Sequence, residues 1–296
     1  MSQTADSVAL LPAGDRASPG GERAGYFANG DGQRLYGVLN PAGALPGRRP
    51  GVVFCAPLSE ERHYCQRVIV DYARFLAQAG YPTLRFDVAG CGDSDGDMVA
   101  VTIPGLLRDV RAAIDHLIAS SGAPRVVLVG VRFGAMLAQI TAGIDARVSG
   151  AALIAPLVSG IDYWNTLLRS QQMSCMTRGL KAPKLEELRH SLASTGQIEI
   201  KGELYGQEFG ETLATVDLRA ASERRRVPLL IAAGADEPPD GGAASQLLAT
   251  AQAAGADATA MPDPVGVFWS SKALYRGFRP DALFHATRSW LERLAP

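Results

Sequence analysis

The fold is decided by the stretch Val126-Val127-Leu128-Val129-Gly130-Val131-Arg132-Phe133-Gly134-Ala135. Its first half is apolar and rich in β-branched residues, which is typical of a buried strand. Glycines stand two positions before and two positions after Arg132, as in a sharp turn that joins a strand to a helix. The stretch therefore predicts a strand, a turn with Arg132 at its apex, and a helix.

The rest of the chain alternates strands and helices in the manner of a parallel sheet covered by helices on both faces. Residues 26–28 and 35–39 flank a glycine-rich turn and predict an antiparallel hairpin before this alternation begins. Further strands are predicted at 51–55, 82–87, 150–154, 228–233 and 258–261. Helices are predicted at 64–79, 103–120, 134–143, 243–254 and 280–294. The predicted fold class is α/β with a mostly parallel central sheet.

Three segments divide the chain. Residues 1–24 are rich in Gly, Ala, Ser and Pro, which predicts a loose N-terminal tail. Residues 157–226 are more polar and interrupt the alternation, which predicts an inserted, mostly helical cap. The α/β core is then built from residues 25–156 and 227–296.

The composition limits the classes of function. The formal net charge of −1 provides no basic field for nucleic acid. No apolar run reaches the ~18 residues of a membrane span, and the first residues lack the pattern of a secretory signal. We therefore expect a cytoplasmic protein with a small-molecule substrate, and a homodimer stays open. The four cysteines are expected as free thiols, and no motif predicts a cofactor or a metal.

Three motifs make residues 24–294 similar to the α/β-hydrolase superfamily. They are the turn around Arg132, Phe86-Asp87 followed by the glycine-rich segment 90–96, and Gly234-Ala235-Asp236-Glu237. The chain most resembles a bacterial subgroup of exosortase-A-system-associated hydrolases whose turn reads G-x-R-x-G-A. The segments that support this are 56–62, 130–135, 155–160 and 202–206. The resemblance implies the α/β-hydrolase fold but no particular activity, because one fold hosts many functions.

A catalytic triad in this superfamily uses Ser, Asp and His in that chain order. Arg132 occupies the serine position, and an arginine can neither lose its proton at working pH nor act as a nucleophile. Asp236, with Glu237 beside it, occupies the acid position. The loop at 261–269, where the histidine is expected, contains none. We therefore expect no ordinary acyl-enzyme hydrolysis; the remaining candidates His116, His190 and His285 lie in helical patterns and are predicted to be structural or exposed.

An anion site is predicted at the apex of the turn. The resemblance implies two backbone donors, the N–H of Phe133 and that of Leu58 or Ser59. The positive end of the helix that follows Arg132 also favours an anion there. Arg132 would then bind a substrate carboxylate, enolate or phosphate. The alternative is that Arg132 is neutralised inside the protein.

The early loop supplies the groups that bear on that alternative. Glu60 and Glu61 are the candidate partners of Arg132, because a partly buried arginine without a carboxylate would cost several kcal/mol. Glu60 or His63 is also a candidate general acid or base. The competing interpretation of this segment is a helix start with carboxylates in its first turn.

Other side chains have a functional and a structural interpretation. Cys55 and Cys65 would be nucleophiles only if their pKa values were lowered. Aromatic residues are predicted either to line a pocket beneath the cap or simply to pack: Tyr163, Trp164, Phe268 and Trp269. Asp93 and Ser94 are expected to brace the loop after the strand that ends in Phe86-Asp87.

The residues favour an enzyme that uses the hydrolase pocket without a covalent serine step. Arg132 would bind an anionic acylated small molecule while a carboxylate or His63 moves a proton. The reaction would be elimination of a carboxylate, or direct water attack on an ester or thioester. A non-catalytic binding or partner protein stays open and predicts an internal Arg–Glu pair. A serine esterase or peptidase with relocated residues would use Ser59 or Ser94.

Overall fold

The computed structural model describes residues 21–42, 49–221, 226–238, 241–271 and 278–294. Its strands are β1 (Arg23–Ala28), β2 (Arg34–Asn40), β3 (Gly51–Cys55), β4 (Thr83–Phe86), β5 (Val126–Val131), β6 (Val148–Ile154), β7 (Gln197–Ile200), β8 (Glu203–Gly206), β9 (Leu229–Ala232) and β10 (Ala258–Ala260). Eight of these described strands form one sheet in the order β1-β2-β4-β3-β5-β6-β9-β10. The pairs from β4 to β10 are parallel, whereas β1 and β2 add an antiparallel edge.

The described helices are α1 (Ser59–Gln78), α2 (Ile103–Ser121), α3 (Phe133–Ile144), α4 (Gly160–Thr177), α5 (Leu185–Thr195), α6 (Gln207–Ala214), α7 (Leu218–Ala221), α8 (Ala243–Ala253) and α9 (Asp281–Leu294). A short 3-10 helix occupies Met98–Ala100. Among these helices, none combines the length and the apolar sequence that crossing a membrane requires.

Strand β5 lies between β3 and β6, and all its residues are buried. Val126 and Leu128 pack into the core on one face of the sheet, and Val127, Val129 and Val131 pack into the core on the other. A strand that is apolar throughout is what a sheet covered on both faces requires. The strand, turn and helix predicted from this stretch are confirmed.

Helix α1 begins at Ser59 and not at the predicted position 64. Ser59, Glu60 and Glu61 therefore form its first turn instead of a loop before it. Carboxylates are stabilised there by the positive end of the helix dipole. Because these residues are helical, the helix geometry fixes the relative directions of their side chains.

Strand β1 begins at Arg23, inside the segment predicted as a tail. Just before it, Glu22 forms ion pairs with Arg74 and Arg85, at 2.9 and 3.6 Å. Glu22 is therefore fixed to the core, which corrects the predicted boundary at 24. The rest of the predicted tail, residues 1–20, lies outside the described residues.

The segment between β6 and β9 contains helices α4 to α7 together with the β7–β8 hairpin. The hairpin departs from the mostly helical prediction for this segment. Lys201 and Gly202 form its turn, with φ values of +52° and +89°. Two successive positive φ values are typical of a two-residue hairpin turn. The sequence signal was missed because such turns usually contain Asn-Gly or Asp-Gly.

The parallel strands bring four loops to one edge of the sheet. Cys55 at the end of β3 lies opposite Gly130, and Val131 at the end of β5 lies opposite Ile154. Ile154 in turn lies opposite Ala232 at the end of β9. The chain segments that follow β3, β5, β6 and β9 therefore meet, and they carry the candidate site.

Candidate functional site

The turn after β5 is held by close packing of its two glycines. A Cβ atom on Gly134 would lie 2.0 Å from the Cys55 carbonyl oxygen, and one on Gly130 would lie 2.4 Å from the Ala135 Cα atom. Arg132 at the apex has φ +55° and ψ −118°, and α3 begins at the next residue. This is the sharp strand-to-helix geometry that the glycine spacing predicts.

Backbone strain is concentrated at this edge of the sheet. Ser59, Arg132 and Ala155 have φ values of +57°, +55° and +44°, and each follows the end of a parallel strand. Residues other than glycine avoid this region, so each of the three costs about 1–3 kcal/mol. Such strain clusters at active sites and ligand sites, which makes this edge the candidate functional site.

Arg132 is held by three neighbours. Its Nε donates a hydrogen bond to Glu61 Oε1 at 3.1 Å, and 19% and 23% of the two side chains are exposed. Its Nη1 lies 3.5 Å from the Ala155 carbonyl oxygen, and its guanidinium carbon lies 5.4 Å from the centre of a Trp269 ring. A guanidinium over an indole face is attracted by the ring. Of the two candidate partners left open by the sequence, Glu61 is the one that binds Arg132.

Glu60 pairs with Lys201 and not with Arg132, which corrects the expectation that it faces Arg132. Its carboxylate accepts a hydrogen bond from Lys201 Nζ at 2.8 Å. Helical residues spaced by four and seven share one face, so Glu61 lies on the same face as the buried Cys65 and Val68. The spacing of Glu61, Cys65 and Val68 could have identified Glu61 from the sequence, but only with a helix that begins at Ser59 and not at position 64.

Glu61 has one oxygen that Arg132 does not use. Its Oε2 is buried, and within the described part of the chain it has no hydrogen-bond partner. Burial raises the pKa of Glu61 above its usual 4.5; Arg132 opposes this shift, and the charge of Asp236 adds to it. A carboxylate with a raised pKa is a stronger base than an ordinary one.

A cavity of about 320 Å³, called the Arg132 cavity below, opens beside the apex. Helix α4 and the turn before it form one wall, and the segment around α8 forms another. Its lining residues are Arg132, Pro156, Leu157, Val158, Ser159, Asp162, Tyr163, Thr166, Arg219, Glu237, Ala243 and Gln246. A larger cavity of about 540 Å³ lies between α2 and the α6–α7 segment, and none of the predicted site residues lines it.

Of the aromatic residues predicted to line a pocket, Tyr163 borders the Arg132 cavity. Trp164 instead packs against Tyr205 and Phe209, with ring centres 6.2 and 5.9 Å away. Trp269 is 4% exposed and lies under the guanidinium of Arg132. Both tryptophans therefore take the packing role that the sequence left as the alternative, and Trp269 supports the apex from below.

The backbone donors implied by the resemblance lie at the starts of two helices. Phe133 is the first residue of α3, and Ser59 is the first residue of α1 after Leu58 in extended conformation. The N–H groups of a first helical turn have no acceptor within their own helix. Because β3 and β5 are neighbours, the two helix starts lie at the same edge of the sheet.

His63 does not share a cavity with Arg132. His63 is exposed and, together with Ser59, Arg62 and Glu203, lines a separate cavity of about 420 Å³. From the sequence, Glu60 or His63 was the candidate general acid or base facing Arg132. The structure brings only their neighbour Glu61 to the apex.

The acid position after β9 contains two carboxylates with different surroundings. Glu237 accepts hydrogen bonds from the backbone N–H of Gly234 at 3.2 Å and of Ala244 at 3.0 Å. It therefore caps α8 and fixes the turn. Asp236 is exposed and acts on Glu61 through its charge.

The remaining nucleophile candidates are disfavoured by their surroundings. Burial raises the pKa of Cys55 to about 12 and also raises the pKa of Cys65, so both thiols stay protonated. The Ser94 hydroxyl donates to the Asp87 carbonyl oxygen at 2.6 Å and accepts from the Tyr36 N–H at 2.9 Å. The prediction that Ser94 braces this loop is confirmed.

The other histidines lie on helices away from the apex. His190 and His285 are exposed, and His285 contacts the ring of Phe75. His116 stacks on Phe27, with ring centres 4.6 Å apart. In the described ranges, no three His, Cys, Asp or Glu side chains are grouped so that they could hold a metal.

Solved structures similar to this one cover almost the whole chain at low sequence identity. Est1E from Butyrivibrio proteoclasticus, with ferulic acid bound, is 18% identical over 91% of this chain and 98% of its own, with a TM-score of 0.66. An esterase from Pyrococcus furiosus is 14% identical over 99% and 100%, with a TM-score of 0.62. A putative hydrolase from Agrobacterium vitis is 19% identical over 93% and 99%, with a TM-score of 0.57. At these identities the likeness shows the fold alone.

No protein of curated function matches the chain in sequence. The serine aminopeptidase S33 family, by contrast, matches residues 51–201, which is just over half of the 296 residues. The predicted fold class is confirmed by this match and by the structural neighbours. The chain therefore has the α/β-hydrolase fold and belongs to the serine aminopeptidase S33 family.

Proposed function

We propose that this protein is a hydrolase-fold enzyme that works without a serine nucleophile. In it, Arg132 binds the anionic group of an acylated small molecule, and Glu61 transfers a proton. The observation that carries the proposal is the paired arrangement of Arg132 and Glu61 at the apex, beside a cavity of about 320 Å³. Glu61 takes the role for which Glu60 or His63 was the candidate from the sequence.

Arg132 has donors left for a ligand. A guanidinium has five N–H donors, and the hydrogen bond to Glu61, at 3.1 Å, uses only the one on Nε. The contact from Nη1 to Ala155 is long, at 3.5 Å, and Arg132 itself forms part of the cavity wall. An anionic group in the cavity would therefore meet a fixed positive charge, which the helix start at Phe133 supports.

Two reactions suit this pair. In an elimination, Glu61 takes a proton from carbon, the C–H electrons form a double bond, and the carboxylate leaves with the C–O electrons to be stabilised by Arg132. In a direct hydrolysis, Glu61 takes a proton from water as the oxygen attacks an ester or thioester carbonyl. The N–H group of Phe133, at the start of α3 beside Arg132, would then stabilise the developing oxyanion. The tetrahedral intermediate then collapses, the acyl C–O or C–S bond breaks, and the alcohol or thiol leaves with the proton that Glu61 returns. Both reactions would use Glu61 Oε2, which is not bonded to Arg132. This oxygen is buried and Glu61 is not part of the cavity wall, so the substrate would have to reach it past the Arg132 guanidinium.

Two finer assignments accompany this proposal. The turn Gly130-Val131-Arg132-Phe133-Gly134 supports membership of the subgroup whose turn contains arginine in place of serine. The segment 157–226 would act as the cap, since α4 supplies Asp162, Tyr163 and Thr166 to the wall of the Arg132 cavity. The substrate would be a small molecule in the cytoplasm.

The test compares two para-nitrophenyl esters, the neutral butyrate and the anionic hydrogen succinate. We expect the wild-type protein to prefer the anionic ester, and Arg132→Gln to lower kcat/KM for it at least about tenfold with little effect on the neutral ester. Glu61→Gln should lower kcat for both. Arg108→Gln, which breaks an exposed ion pair with Asp31, is the matched control. Unchanged ester preference in Arg132→Gln would overturn the anchor role.

A non-catalytic binding protein is the second candidate, and the internal Arg132–Glu61 pair is the observation that favours it. It predicts that succinate raises the Tm in an Arg132-dependent manner while neither ester is turned over. A fluorophosphonate probe separates both candidates from a relocated serine enzyme. We expect no labelling, and labelling at Ser59 or Ser94 would contradict both.

A further inference from the structure

Large apolar side chains are exposed together at the end of α4. Met173, Met176 and Leu180 are 62%, 63% and 53% exposed. The two methionines are three residues apart on the helix and so share one face. After Gly179, whose φ is +69°, the N–H of Leu180 donates to the Cys175 carbonyl oxygen at 2.9 Å. The chain thus folds back, and Leu180 lies against the end of the helix that carries the methionines.

Basic side chains surround these apolar residues. Arg169 lies one helical turn before Met173, and Arg178, Lys181 and Lys184 follow the end of the helix; all four are exposed. In the described part of the chain, none of the four forms an ion pair with a carboxylate. The positive charge is local, because the formal net charge of the whole protein is −1.

Two carboxylates lie close to this segment in sequence. Glu186 and Glu187 are in the first turn of α5. Glu187 accepts a hydrogen bond from the backbone N–H of Lys184 at 2.8 Å and therefore caps that helix. It does not neutralise the Lys184 ammonium group, so the basic side chains remain available to an external anion.

We propose that this surface, formed by Met173, Met176, Leu180 and the four basic residues, binds the surface of an anionic lipid bilayer. Exposed apolar side chains can enter the boundary between headgroups and acyl chains, while surrounding Lys and Arg side chains pair with lipid phosphates. Lysine and arginine extend an apolar stem along the membrane and keep the charge at the headgroups. Charge complementarity thus identifies the occupant.

A protein partner fits this surface less well. A stable protein interface covers about 800 Å² on each partner and usually contains aromatic anchors. The surface here has three large apolar side chains, and none of its members is aromatic. Interfacial attachment needs less apolar area, because the anionic surface attracts every basic residue in addition.

This attachment would set the position of the Arg132 cavity. Tyr163 and Thr166 line that cavity at the start of α4, and Met173 and Met176 lie near its end. With a rise of ~1.5 Å per residue, the two regions are about 15 Å apart along the helix. A docked α4 would hold the cavity near the bilayer without inserting it. The attachment does not depend on the reaction proposed for that cavity.

The test is flotation of the whole protein with vesicles of phosphatidylcholine, with or without phosphatidylglycerol. We expect binding to the anionic vesicles, weaker binding to neutral ones, and loss of binding at high salt. Each basic residue near an anionic surface contributes about fivefold to the partition coefficient. The variant Arg178→Gln/Lys181→Gln/Lys184→Gln should therefore bind at least about tenfold more weakly. Met173→Ser/Met176→Ser/Leu180→Ser should lower binding to both kinds of vesicle.

A matched control changes residues of the same kinds elsewhere. Ile144→Ser with Arg67→Gln and Arg125→Gln replaces exposed residues on other elements and should bind vesicles like the wild type. Circular dichroism spectra of all variants report folding. The proposal fails if the wild-type protein does not float with anionic vesicles, or if the apolar and basic variants float as the control does. A lipid-free dimer that the apolar variant abolishes would assign the surface to a second copy of this chain instead.

Discussion

Two regions meet at Arg132: the turn after β5, and a corner formed by residues 234–237 after β9 together with the loop 261–269. Backbone packing stabilises the first region, and side-chain packing stabilises the second. In the turn, a Cβ on Gly130 or Gly134 would overlap backbone atoms, so packing of main chain against main chain fixes its shape. In the corner, Trp269 is 4% exposed and supports the guanidinium. Gly234 also forms an isolated parallel bridge to Val265. In the loop where a triad histidine would stand, Val265, Phe268 and Trp269 are buried and pack into the core.

The turn and the triad are therefore separable. The strained backbone of the turn needs its glycines, but nothing in its packing requires a serine at the apex. Serine hydrolysis would require a histidine in the corner. The corner instead places the Trp269 ring against the Arg132 guanidinium.

The largest effect is expected for Gly134→Ala. The new methyl group would lie 2.0 Å from the Cys55 carbonyl oxygen, and a backbone atom cannot move aside cheaply. We expect a loss of about 3 kcal/mol or more in the free energy of unfolding, measured with urea. In the control Gly105→Ala, the nearest atom to the added Cβ lies 3.3 Å away, and its effect should stay within about 1 kcal/mol. Equal stability of the two variants would show that packing does not fix the turn.

The contact between Arg132 and α1 comes next. Arg132→Met should cost about 1–3 kcal/mol, because it leaves the largely buried Glu61 carboxylate without its cation. Glu61→Gln should cost less, because burial already disfavours the charged form of Glu61. Made together, the two changes should cost less than their sum by about 1–2 kcal/mol. A double-mutant cycle of urea unfolding measures this coupling. Additive effects would mean that the hydrogen bond at 3.1 Å contributes nothing to stability.

The pH dependence of stability tests the same carboxyl group. Burial raises the pKa of Glu61 in the folded protein above 4.5, so the folded state binds this proton more tightly than the unfolded state does. The contribution of the group is fully present below about pH 4.5 and is lost as the pH rises through the folded pKa. Relative to Glu61→Gln, the wild-type protein should therefore lose stability as the pH rises through that window. If the wild-type protein instead gained stability relative to Glu61→Gln as the pH rose, the pKa of Glu61 would be lowered and not raised in the folded state.

The α/β architecture could be predicted because it is written in local patterns. The β-branched run of β5 and the paired glycines act on neighbouring residues, and the alternation of strands and helices leaves few topologies. The triad gap was equally visible, since the residue types at Arg132 and in the loop 261–269 are sequence facts.

The partner of Arg132 could not be settled in the same way. Successive side chains on a helix differ in direction by about 100°. With α1 predicted to start at position 64, Glu60 and Glu61 lay in a loop, and nothing indicated which of them faces Arg132. The position of Trp269 beneath Arg132 depends on a tertiary contact that no local pattern records. The β7–β8 hairpin was missed because Lys201-Gly202 is an unusual turn sequence.

A smaller difference in stability is expected between variants of Asp236 and Glu237, the two neighbouring carboxylates of the corner. Glu237 accepts two backbone N–H bonds and caps α8, so Glu237→Ala should cost about 1–2 kcal/mol. Asp236 is exposed, and Asp236→Ala should change the free energy of unfolding by less than about 0.5 kcal/mol. Thermal or urea unfolding of the two variants compares them directly. If Asp236→Ala proved the more destabilising, Asp236 and not Glu237 would hold the corner together.

The smallest effect is the attraction between Arg132 and Trp269. Trp269→Leu will cost stability mainly through lost packing, so only its coupling to Arg132 isolates the guanidinium–indole contact at 5.4 Å. In a double-mutant cycle with Arg132→Met we expect a coupling of about 0.5–1 kcal/mol. Trp290→Leu is the matched control, because Trp290 is similarly buried in the same core cluster but lies on α9 without a described contact to Arg132. If both tryptophans coupled equally to Arg132, the corner would act through general packing, and its role as a support for the cation would be wrong.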